Sequence, residues 1–162
     1  MLSRVVNTIS LLTILGATSA AAQQPVTEQF PHIPAMSHQK MTYNGKVIYE
    51  ADVDQNDPNP KPFFLQVSVD SFSGNCDSTV GNVAASASSN KGTKGSESSK
   101  YLSCVVTDLS SDGQAKADIV YDLRNQEGNM HKFGHINANL QVGKEYKTVN
   151  NGSQVTLLMR TN

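Results

Sequence analysis

Apolar and polar side chains alternate along much of this chain. Phe63, Leu65, Val67 and Val69 interleave with Phe64, Gln66, Ser68 and Asp70, which gives one apolar face and one mostly polar face at a period of two. The same alternation runs through Ala117/Ile119/Tyr121/Leu123, Ile136/Ala138/Leu140/Val142 and Val155/Leu157/Met159. This pattern predicts strands over residues 41–43, 46–51, 62–70, 101–109, 115–123, 130–142, 144–149 and 154–161, with a short one over 80–87. No stretch beyond residue 22 carries helical periodicity.

Turn chemistry falls between these runs. Asn44-Gly45 joins two of them as a two-residue hairpin, because both residues tolerate the positive φ of a type I′ turn. Further turns are expected at Ser111-Asp112-Gly113, Gln126-Glu127-Gly128, Gly143 and Asn150-Asn151-Gly152-Ser153. Residues 52–62 are dense in Asp, Asn and Pro and read as a loop. Residues 84–99 consist almost wholly of Ala, Ser, Gly, Lys and Asn, with little to bury, and the expectation there is a mobile loop.

These elements add up to an all-β, single-domain antiparallel β-sandwich of about seven or eight strands over residues 40–162, preceded by an extended arm over 23–39. Ig-like topology is one form such a sandwich takes, although the chain has no Trp of the kind antibody domains bury. An up-and-down barrel is the alternative.

Residues 1–22 have the layout of a secretory signal peptide: one cation at Arg4, an apolar run to Gly16, then small residues ending Ala20-Ala21-Ala22. The expectation is a secreted or periplasmic protein with no membrane span after leader removal. Export changes the reading of the two cysteines. Cys76 and Cys104 are expected to form a disulfide closing a 29-residue loop, which chain-entropy reasoning values at roughly 3–4 kcal/mol. Beyond the leader 12 Lys and Arg face 14 Asp and Glu with no basic block, which argues against a nucleic-acid partner.

Three residue groups carry candidate chemistry. His32, Met36, His38, Met41, Met130, His131 and His135 offer the thioether and imidazole ligands that suit copper, and a strand would put His131, Phe133 and His135 on one outward face unless Gly134 forms a bulge. Asp52, Asp54, Asn56 and Asp57 place alternate oxygen donors as in the first half of a calcium loop, but Asp57 and Phe63 stand where that loop needs Gly and Glu. Asp54-x-Asn56-Asp57-x-x-Pro60 also resembles the calcium-binding linker of cadherins over those residues. Asn151-Gly152-Ser153 is an N-glycosylation acceptor pattern lying in an expected hairpin turn.

No nucleophile elbow, zinc-protease motif, phosphate loop or dinucleotide fingerprint is present. The functional expectation is an exported, non-enzymatic binding module, of adhesin, inhibitor or assembly type, that meets a protein or glycan partner through loops or a sheet edge. The alternatives are a copper-type metal-binding protein using the Met/His runs and a small secreted hydrolase.

Overall fold

The computed structural model describes residues 31–92, 97–127 and 129–161. Its compact unit is His32–Asn162. The expected leader and the first part of the arm lie outside the described residues.

Ten antiparallel strands make up this unit: β1 (Met36–Tyr43), β2 (Lys46–Asp54), β3 (Pro62–Val69), β4 (Phe72–Thr79), β5 (Ala84–Lys91), β6 (Glu97–Thr107), β7 (Gln114–Arg124), β8 (His131–Gln141), β9 (Glu145–Asn150) and β10 (Ser153–Thr161). Two four-stranded sheets, ordered β4-β3-β10-β9 and β5-β6-β7-β8, form the sandwich, and β1-β2 is a separate hairpin. From β3 to β10 the strands follow one another in sequence order around the two sheets, and β10 closes the circuit onto β3. That is the strand order of an up-and-down barrel opened at two seams, β4/β5 and β8/β9, rather than an Ig-like Greek key.

The core follows from the alternation. Phe63, Leu65, Val67 and Val69 of β3, with Val155, Leu157 and Met159 of β10, bury against Leu102, Cys104 and Val106 of β6, Ile119, Tyr121 and Leu123 of β7, and Ile136, Ala138 and Leu140 of β8. Fully burying each large aliphatic or aromatic side chain contributes about 1.5–3 kcal/mol of transfer free energy.

A second, smaller core lies on the outer face of the β5–β8 sheet. Met41 packs on Val105 and Val120, flanked by Tyr43, Ile48, Tyr49 and Val83. The hairpin is therefore a third layer on this sheet. Polar contacts seat it: Ser103 Oγ donates to Met41 Sδ (3.1 Å), Tyr49 Oη to the Gly81 carbonyl (2.5 Å) and Val83 N to Gln39 Oε1 (3.2 Å). The Asn44-Gly45 turn has positive φ at both residues, 49° and 73°, as does Asn151-Gly152 at 48° and 78°.

Sequence expectation and structure part company in four places. The short strand expected over 80–87 instead runs from Ala84 to Lys91 as β5, paired with β6 from Ala84↔Cys104 to Lys91↔Glu97, so that residues 84–91 are not the expected loop. An edge strand needs only backbone hydrogen bonds on one side, which Ala and Ser supply as well as any residue. Residues 72–79 form a strand of their own, turned back from β3 at Asp70, whose φ is 51°. Asp52 and Asp54 belong to β2, so the loop is residues 55–61, and β1 begins four residues inside the expected arm. The strand count rises to ten accordingly.

Candidate functional site

The two seams are closed by different chemistry. Cys76 of β4 and Cys104 of β6 form the expected disulfide, with Cα atoms 6.2 Å apart, and it staples one sheet to the other beside Ala84. A disulfide points to an oxidising compartment. At the β8/β9 seam the closure is polar. Tyr121 Oη donates to Asn150 Oδ1 (2.9 Å), Asn150 Nδ2 to the His135 carbonyl (3.0 Å) and Asn151 Nδ2 to the Phe133 carbonyl (2.9 Å).

Gly134 is what lets the phenol through. It lies opposite Tyr121 in unbroken register, so there is no bulge, and a Cβ there would overlap Asn150 Oδ1 and stand 2.6 Å from Tyr121 Oη. Burial raises the Tyr121 pKa, keeping the hydroxyl a donor.

His131, Phe133 and His135 do share the outer face of β8, as alternation requires. Each imidazole has its own carboxylate: His131 Nε2 lies 3.0 Å from Asp122 Oδ1, and His135 Nε2 lies 2.7 Å from Asp118 Oδ1. His135 also meets the hairpin, its ring 5.7 Å from that of Tyr43.

The other Met/His run divides between two places. His38 is on the solvent face of the hairpin between Asp52 (2.8 Å) and Glu50 (2.9 Å), whose hydrogen bonds raise its pKa above 6.5. His32 pairs with Asp54 (2.5 Å) at the end of the hairpin away from Tyr43. Met36 and Tyr43 are seven residue steps apart along β1, a distance of about 23 Å. Met41 is buried at 3% exposure and Met36 stands out at 62%, while Met130 receives its structural contact through its backbone, donating to Asn125 Oδ1 (3.1 Å). Among the described residues no three His, Cys, Asp or Glu side chains converge as a metal site.

The Asp-rich run is occupied by turn contacts. Asp54 Oδ1 accepts from Ala35 N (2.8 Å) and Asn56 N (3.0 Å), and Asp57 Oδ1 accepts from Asn59 N (2.8 Å). The Ala35 amide above all holds the Asp54 carboxyl below the usual carboxylate range. Asn56 Nδ2 donates to the Ile33 carbonyl (3.1 Å). Asn151, the glycosylation candidate, has its amide nitrogen engaged with Phe133 across the seam.

The feature that composition hid is the open part of the β4/β5 seam. Beyond the disulfide, two contiguous clefts of about 410 and 380 Å³ share Phe72 and Lys100. Ser86, Ser88, Gly74 and Leu102 line the inner one. Strand β5 forms one rim and pairs only with β6, so its other edge is unpaired among the described residues; from Ala85 to Lys91 every residue is exposed. The sequence signal that could have found this edge is the run from Ala84 to Lys91, which has neither Gly nor Pro.

No protein-family model, curated protein or solved structure matches this chain.

Proposed function

We propose that this protein is a non-enzymatic recognition module, secreted or periplasmic, that binds its partner along the open edge of β5. The observation that carries the reading is the character of that edge. It is an eight-residue strand of small, uncharged side chains up to Lys91, with no Pro and no bulge in its pairing. Soluble proteins blunt exposed edges with charge, Pro or bulges, because an unpaired row of N–H and C=O groups recruits another strand. An edge left unguarded over this length suits β-strand addition, in which main-chain hydrogen bonds supply affinity.

Two further observations support binding over catalysis. The histidine–carboxylate pairs lie on the hairpin and on the sheet's outer face, whereas no histidine lines the clefts at the β4/β5 seam, whose ionisable groups are Lys100, Arg124 and Glu127. The disulfide staples the frame beside the edge, which keeps the edge rigid and reduces the entropy lost on binding.

Photo-crosslinking in the native host tests this. A benzophenone amino acid at Ser88 is expected to trap a discrete partner, and the same group at Lys147 on β9 is not. Equal trapping at both positions, or none at Ser88, overturns the proposal.

A further inference from the structure

The inward-facing rows that cross the β5–β8 sheet give the seam a readable side-chain code. Ser86 is opposite Leu102, and Ser88 is opposite Lys100. Leu102 is buried at 2% exposure, whereas Lys100, beside the short Ser88, is exposed. Phe72, reaching over Gly74 from the other sheet, forms the facing wall: a Cβ on Gly74 would stand 2.9 Å from Phe72 Cζ and 3.1 Å from Leu102 Cδ2.

Lys100 is the second element of this code. Its Nζ lies 5.5 Å from the Phe72 ring centroid, and among the described residues it has no carboxylate within ion-pair distance. The contrast is Lys132, which has the same inward parity on β8 and pairs with Asp70. A cation at the mouth of a cleft, beside an apolar floor and a free backbone edge, is matched by a strand that carries a carboxylate next to an aliphatic group.

Resting on the strand-addition reading above, we propose that the ligand is an extended polypeptide segment with an aliphatic residue and an acidic residue two positions apart. A strand added beside β5 presents alternate side chains to the seam. The residue beside Ser86 rests on the half-buried ring of Phe72, at the edge of the cleft that Leu102 backs, and the one beside Ser88 reaches Lys100. An antiparallel ligand therefore reads acidic-x-aliphatic from its N-terminus, and a parallel ligand reads the reverse.

The test uses the disulfide-bonded protein and capped nonapeptides with an alternating Thr/Ser frame. One pair carries Glu and Val two apart, in either order, and the control pair has Lys in place of Glu. Affinity is read by fluorescence anisotropy at low salt, and contact by protection of β5 amides from hydrogen exchange. One Glu peptide is expected to bind at least tenfold more tightly than its Lys counterpart, and Lys100→Glu, an exposed substitution, is expected to reverse that order. Its melting temperature confirms that the variant is folded.

Equal binding of Glu and Lys peptides with β5 protected overturns the acidic preference but leaves the edge as the binding surface. No protection of β5 by any of the peptides at millimolar concentration overturns the polypeptide ligand. The Ser88 cross-linking result then stands separately as the measure of the broader reading.

Discussion

Tyr121 and Gly134 face each other across β7 and β8, and the phenol passes over the bare glycine to donate to Asn150 of the other sheet. Large against small, they make one cross-strand pair do the work of a seam closure. Gly134→Ala is expected to destabilise the fold by about 2–3 kcal/mol, because its methyl group displaces the phenol and breaks the bond to Asn150. Tyr121→Phe removes only that bond and is expected to cost about 1–2 kcal/mol. Urea unfolding of both variants checks the order, and a cost for Tyr121→Phe equal to or above that of Gly134→Ala would contradict this account.

The opposite seam depends on the staple. Replacing Cys76 and Cys104 together by Ser is expected to lower stability by roughly 3–4 kcal/mol. Hydrogen exchange should quicken first in β4, which the bond ties to β6, and in β5, whose Ala84 lies opposite Cys104, and last in β7 and β10. A uniform increase across all strands would show that the bond acts on the whole fold and not on this seam.

His38 should titrate above 6.5, since hydrogen bonds donated to Asp52 and then Glu50 favour its charged form. A histidine pKa that is higher folded than unfolded contributes stability that is complete below about 6.5 and is lost as pH rises through the folded value. NMR titration of the ring in wild type and in Asp52→Asn checks this: the substitution should move the His38 midpoint down.

At the acid end the sign reverses. Asp70, Asp54 and Asp112 are all held below the usual carboxylate value, Asp70 chiefly by Lys132, Asp54 by the Ala35 amide and Asp112 by Ser110. Their contributions are present above about pH 4 and are lost as pH falls through the lowered values. Asp70→Asn should therefore show a shallower loss of stability than wild type below pH 4, measured by thermal melts across pH.

Copper titration by calorimetry, in both oxidation states, is expected to give no binding tighter than millimolar. His38 and His135 are on opposite sides of the hairpin layer, each engaged by its own carboxylates, and Met41 is sealed beneath it. Micromolar binding abolished by His131→Ala or His38→Ala would make the Met/His runs a metal site.

Much of this is legible in the amino-acid sequence alone. The alternation in β3, β7, β8 and β10 was enough to place the buried face, since a strand with one apolar side has only one way to face the core. Asn44-Gly45 and Asn151-Gly152 marked their turns because positive φ is tolerated by few residues. The carboxylate partners of the histidines were not legible. Asp118 is 17 residues from His135, and Asp122 becomes a neighbour of His131 only once β7 and β8 pair.

What the sequence determined by itself was the class of fold, the disulfide and most strand faces, all of them set by local period or by a count of two cysteines. Tertiary structure alone decided that the circuit closes through β10 and β3, that the hairpin becomes a third layer and that residues 84–91 are an open edge. The physical reason is that a small-residue segment has no side-chain preference strong enough to declare itself. Its conformation comes from the backbone partner that β6 offers, and that partner is found only by folding.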